Sequence, residues 1–221
     1  MNIPEFAQNP ESRCPVVLVL DTSASMKGAP IDALNRGISR FKYDVEQDAI
    51  ASMRVEISIV SFGSSVDVVQ DFVTIDDFSP PVLEASGKTP LGQGVRMGFQ
   101  QLTRRCSLFK EAGVGFYRPW MFLVTDGAPT DGNLWKEVVE DVRVAVEEQK
   151  MLFFTVGVEG ADLRILRAIA PKSSPPILLQ DMRFEELFSW LSVSVCQMSR
   201  SSGGENTLYK LPPVDNWGVQ Q

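Results

Sequence analysis

The chain of 221 residues carries 21 basic and 28 acidic side chains, a formal net charge of −7, and no histidine. That acidity argues against a basic nucleic-acid footprint and against electrostatic docking on anionic lipid, so neither nucleic acid nor membrane is an expected partner. The missing histidine excludes a Ser-His-Asp triad, a Cys-His dyad and any histidine-dependent zinc site within the chain.

At this length one α/β domain with a sizeable core fits, and two would be cramped. Cys14, Cys106 and Cys196 are far apart and odd in number, which reads as free thiols in a reducing compartment. Met1 to Arg13 is polar, without a basic start or an apolar h-region, so no signal peptide is expected. No apolar run approaches the ~20 residues that cross a bilayer. The expectation is a cytoplasmic protein.

Residues 1–13 read as a lead-in rich in Pro, Asn and Glu. Pro15 to Leu20 is a β-branched apolar run, the pattern of a strand buried on both faces, and it ends in Asp21-Thr22-Ser23-Ala24-Ser25. Pro30 opens a helix whose apolar face is Ile31, Leu34, Ile38, Phe41 and Val45. Arg54 to Phe62 alternates as a strand, Gly63-Ser64-Ser65 turns, and Val66 to Ile75 is a second strand. So short a connection predicts antiparallel pairing, with the second strand at a sheet edge.

Asp76 to Pro90 is a long loop containing Pro80-Pro81, and loops of this length in compact domains are often functional. Gly87-Lys88-Thr89 near its end is not a phosphate-binding loop, because the first glycine of that motif would fall at Val82 and no buried strand precedes it. Pro90 opens a helix with Leu91, Val95, Phe99, Leu102 and Cys106 on its apolar face. Trp120 to Val124 is a second buried strand, ending in Thr125-Asp126-Gly127. A helix marked by Trp135, Val138, Val142 and Ala145 follows, then a strand over Met151 to Val158, a short helix over Asp162 to Ala170 and a short strand over Pro176 to Leu179. Phe184, Leu187, Phe188, Leu191 and Val195 form the stripe of the last helix. From Ser199 the composition turns to Ser, Gly, Asn and Pro, which reads as a disordered or loosely packed tail. Leu208, Tyr209, Leu211 and Trp217 leave docking on the domain open as the alternative. The alternation specifies an α/β fold: a doubly wound, mostly parallel sheet with one antiparallel edge strand and helices on both faces.

Open α/β sheets bind ligands beyond the carboxyl ends of their strands. Asp21, Ser23 and Ser25 after the first strand, Thr89 at a helix start and Asp126 after a later strand all fall on that edge. Two carboxylates and three hydroxyls are hard oxygen donors that suit Mg²⁺ or a similar divalent ion. Two charges of −1 neutralise an ion of +2, and five protein oxygens leave an octahedral position open. Local turn capping by Asp21 and the serines is the structural alternative.

These three motifs, D-x-S-x-S at Asp21 to Ser25, the lone Thr89 and T-D-G at Asp126, resemble the metal-ion-dependent adhesion site of von Willebrand factor A domains, over roughly residues 14–198. Leu20 to Ser23, Met26-Lys27-Gly28, Glu84 to Gly87 and Asp126 to Asp131 look closest to the tellurium-resistance TerY-like group. The resemblance implies Ser23, Ser25 and Thr89 as direct ligands of Mg²⁺ (or Mn²⁺ or Ca²⁺), with Asp21 and Asp126 binding directly or through water. It implies residues 14–198 as the domain, which leaves 199–221 as the polar tail read from composition, and a non-enzymatic module that accepts a carboxylate from a protein partner presenting an exposed Asp or Glu. The setting it implies is a bacterial tellurite or stress-resistance system, whose gene clusters often also encode a kinase and a phosphatase as candidate partners. The alternatives are a metal-dependent hydrolase or phosphoryl-transfer enzyme using the same site, or a metal-independent scaffold. A haloacid-dehalogenase-type enzyme would need a second aspartate where Ser23 stands, and a receiver domain would need an acidic neighbour where Leu20 and Thr22 stand.

Overall fold

The computed structural model describes residues 6, 9–126, 128–201 and 211–221. Strand β1 (Cys14–Asp21) has all eight residues buried, as its unbroken apolar run requires. Helix α1 (Ala29–Glu46) starts with Pro30 in its first turn and lays Ile31, Leu34, Ile38, Phe41 and Val45 on the sheet. A short helix α2 (Ala49–Arg54), unmarked by any apolar period, begins at Asp48, whose carboxylate accepts from the Ile50 and Ala51 amides. Strands β2 (Val55–Phe62) and β3 (Val66–Thr74) form the expected hairpin. Next come α3 (Leu91–Ala112), β4 (Trp120–Thr125), α4 (Leu134–Glu147), β5 (Leu152–Gly157), α5 (Leu163–Ile169), β6 (Ile177–Leu179), α6 (Phe184–Arg200) and β7 (Gly218–Gln220).

The seven strands run β3-β2-β1-β4-β5-β6-β7, so β1 and β4, which carry the two site aspartates, are neighbours at the middle of the sheet. Even-numbered residues of β1 (Val16, Leu18, Leu20) pack with α1, α2 and α6 on one face. Val17 and Val19 pack with α3, α4 and Ile169 on the other. The expected mostly parallel sheet with helices on both faces is what the chain forms, with β3 as the antiparallel edge.

The alternation read for β2 does not expose one side: all eight of its residues are buried, because the strand lies between β1 and β3 with helices on both faces. Its polar members are satisfied internally, Ser58 by the Gln70 carbonyl and Glu56 by two arginines.

The composition of the last residues pointed to a loose tail, and here the structure differs. Helix α6 reaches Arg200, and Leu208 and Tyr209 lie outside the described residues. Residues 211–221 dock, adding β7 antiparallel to β6 as a second antiparallel edge. Trp217 is 1% exposed with its ring 5.4 Å from that of Trp190, whose indole N–H donates to the Pro212 carbonyl at 2.9 Å. Burying one tryptophan contributes up to about 4–6 kcal/mol, enough to outweigh the ordering of a few polar residues. At the other terminus, residues 9–13 are also anchored: the Asn9 amide donates to the Met53 carbonyl, and Arg13 is 1% exposed with its guanidinium on Glu56.

Candidate functional site

Because β1 and β4 pair in parallel register up to Leu20 and Val124, Asp21 and Thr125 emerge side by side. The Thr125 hydroxyl donates to Asp21 Oδ2 at 2.6 Å, and the Ser23 amide donates to Asp21 Oδ1 at 2.8 Å. Ser23 Oγ lies 3.0 Å from Ser25 Oγ, and Ser25 Oγ donates to Asp126 Oδ1 at 2.9 Å. Four of the five predicted residues therefore form one continuous line of oxygens over the end of the sheet. It runs from the buried Asp21 and Ser23 to the exposed Ser25 and the half-buried Asp126.

The fifth residue arrives on the long loop. That loop is tied to the first by the Ser86 amide on the Thr22 carbonyl (2.8 Å) and the Ala24 amide on the Gly87 carbonyl (3.1 Å). Two glycines permit this closeness. A Cβ on Gly63 would stand 2.5 Å from the Thr22 carbonyl oxygen, and Gly87 has φ +82° with Ser64 N 2.4 Å from where its Cβ would be. Buried Thr89 then pairs with the loop after β4. Its amide donates to Thr130 Oγ1 at 3.1 Å and its carbonyl accepts from the Thr130 amide at 2.9 Å.

Three further residues support the site. Thr125 was visible only as the first letter of T-D-G. Asp131 Oδ2 accepts from the Gln93 amide at 2.9 Å and so caps the first turn of α3. Asn35, on α1, gave no signal at all. Its side chain donates to the Leu83 carbonyl and accepts from the Leu83 amide, both at 2.9 Å, and so pins the middle of the long loop. Asn35→Ala is expected to cost about 1–2 kcal/mol in urea unfolding and to speed proteolysis within residues 78–90. A variant as stable and as protease-resistant as wild type would show that the loop is held elsewhere.

Burial holds the Asp21 carboxyl above its ordinary range; the hydrogen bonds from Ser23 and Thr125 oppose this, and the nearby Asp126 charge adds to it. Among the described residues, neither Asp21 nor Asp126 forms an ion pair. No cluster of three or more Asp, Glu, Cys or His side chains is present among the described residues, so any cation here would rely on hydroxyls as well as carboxylates. A buried carboxylate beside a second one, lacking a basic partner but ringed by hydroxyls, is the charge arrangement that a divalent cation relieves. The oxygens aligned at Asp21, Ser23, Ser25 and Asp126 thus suit a hard metal ion, and the Ala24–Gly87 hydrogen bond brings the segment that carries Thr89 beside them.

The fold and these loops define a doubly wound α/β domain with an oxygen-lined site at the carboxyl end of its sheet. The family profile of the von Willebrand factor type A domain matches residues 16–190, and the chain belongs to that family, whose domains generally bind protein partners. Among solved structures, the chain is similar to the pilus adhesin SpaC of Lactobacillus rhamnosus GG, with TM-score 0.68 and 16% identity over 86% of this chain and 32% of the adhesin. It is similar to the PilB minor pilin of Streptococcus sanguinis, with TM-score 0.60 and 14% identity over 85% of this chain and 62% of the pilin. BatB of Bacteroides thetaiotaomicron gives TM-score 0.54 and 15% identity over 84% of this chain and 99% of that one. At these identities the likeness is one of fold, and the chain spans about a third of the adhesin's length and under two thirds of the pilin's. No curated protein matches the sequence. Among the described residues no helix is long and apolar enough to cross a membrane.

Proposed function

We propose that the chain is a non-enzymatic, metal-dependent protein-binding module. Ser23, Ser25 and Thr89 would hold Mg²⁺, or Mn²⁺ or Ca²⁺, with Asp21 and Asp126 bound to the ion directly or through water. An ion held there would supply an electrophile for an Asp or Glu side chain of a partner. The observation that carries this reading is the buried Asp21 carboxylate, beside Asp126 and without a basic partner, at the end of the line of hydroxyls. Membership of a family of interaction domains supports the protein partner. The absence of histidine from the chain supports the non-enzymatic reading, since it removes the commonest general base. The cytoplasmic stress-resistance setting rests on the short motifs around Met26-Lys27-Gly28 and Asp126 to Asp131 and on the free cysteines.

The expected outcome is a partner that binds in Mg²⁺, is released by EDTA, and is lost with Thr89→Ala or Asp126→Ala at unchanged fold. A partner held equally well in EDTA and by both variants would refute the reading.

A further inference from the structure

Two lysines stand on the segments that carry the proposed ligands. Lys27 is two residues beyond Ser25 and closes the turn after it, its amide donating to the Ala24 carbonyl at 3.2 Å. Lys88 lies between Gly87 and Thr89, and the Ala24–Gly87 hydrogen bond brings these two segments together. Both side chains are exposed, and among the described residues neither forms an ion pair. Elsewhere on the surface Lys42, Lys150, Arg36, Arg40 and Arg164 each have an acidic partner within 3.0 Å. Of the exposed charges on these two segments only Glu84 is acidic, and it lies four residues before Lys88.

In a chain of net charge −7, an acidic partner is repelled at long range. Two exposed lysines without ion-pair partners among the described residues, on the segments that carry Ser25 and Thr89, oppose that field locally, within a Debye length of roughly 8–10 Å. A single carboxylate on the ion would leave both ammonium groups in water. We infer that the module recognises an acidic segment of its partner: one carboxylate goes to the metal, and one or more further carboxylates, close in the partner's chain, go to Lys27 and Lys88. The inference rests on the metal-site reading proposed above and adds the chemistry of the residues around the coordinating one.

The test uses the full chain and two fluorescent peptides of equal length, one with a single Glu among Gly and Ser, the other with that Glu flanked by three further acidic residues. Binding is measured by anisotropy in Mg²⁺ and in EDTA, for wild type and for Lys27→Gln/Lys88→Gln. Mn²⁺ titrations of both proteins run alongside. The acidic peptide is expected to bind wild type about tenfold more tightly than the single-Glu peptide in Mg²⁺, a preference that fades with added salt. The double variant is expected to bind the two peptides alike, with Mn²⁺ affinity no weaker than that of wild type. Equal binding of the two peptides by wild type, or a preference that survives in the double variant, would overturn the inference and leave the metal site standing. A flat Mn²⁺ titration, with peptide binding indifferent to EDTA, would remove the metal reading and this inference with it.

Discussion

Glu56→Ala is expected to cost about 3–5 kcal/mol of folding stability. Glu56 is 1% exposed, and its two oxygens take three hydrogen bonds from two buried guanidinium groups. Arg13 Nε donates at 3.0 Å, Arg105 Nε at 2.7 Å and Arg105 Nη2 at 2.9 Å. The Arg105 guanidinium also faces the rings of Phe6, Phe109 and Phe72 at 5.0, 5.1 and 5.7 Å. Removing the carboxylate takes three hydrogen bonds from these two guanidinium groups in a site shielded from water, where the loss is largely the penalty for burying charge with fewer partners. The same reasoning predicts that exchanging all three residues for apolar ones of similar volume costs much less than Glu56→Ala. Urea unfolding with an unchanged m-value measures both. A loss under ~1 kcal/mol for Glu56→Ala, the range of an exposed ion pair, would mean that water reaches the cluster.

The second large effect falls on metal binding. Asp21→Asn should weaken Mn²⁺ binding by about 10–100-fold or more, the range found when a carboxylate supporting a metal site is removed. A saturating ion that stabilises wild type by mass action should then leave the variant's melting temperature almost unmoved. The same variant, without metal and near neutral pH, is expected to be at least as stable as wild type. Burial raises the Asp21 carboxyl from its ordinary value of 3.8, so the unfolded chain releases this proton at lower pH than the folded one. Metal-free wild type therefore loses stability as pH rises through that window, a loss that asparagine does not suffer. Asparagine also preserves the local bonds, its carbonyl accepting from the Ser23 amide and its NH₂ facing a Thr125 hydroxyl that can turn to accept. Equal Mn²⁺ affinity in variant and wild type would sink the assignment of Asp21. A metal-free variant much less stable than wild type would show that the charge itself is needed for folding.

How far the sequence carries differs between the site and what supports it. Asp21, Ser23, Ser25 and Asp126 sit immediately after two apolar runs that can only be buried strands, so chain order alone delivers them to one edge of an α/β sheet. The helices α1, α3, α4 and α6 declare themselves by apolar spacing, because a helix face on a sheet repeats every three or four residues. These are local properties, written within a dozen residues of one another.

The remaining features depend on pairs far apart in the chain. Glu56 reads only as one member of an alternating strand until Arg13 and Arg105 arrive from 43 and 49 residues away. Asn35 carries no pattern of its own until Leu83 is laid against it. Thr89 is legible as a threonine at a helix start, but its attachment to the loop after β4 appears only when Thr130 meets it across 41 residues. Residues 211–221 look like a tail because composition reports the absence of a local pattern, not the open edge of β6 or the Trp190 ring that receives Trp217. The sequence by itself determined strands β1 to β6, the apolar faces of the longer helices and the residues at the strand ends, since short-range sterics and apolar periodicity are sufficient for each. Tertiary structure alone decided which buried charges are neutralised and which loops are pinned over the site. Those outcomes turn on hydrogen bonds and ion pairs between segments that no local pattern brings together.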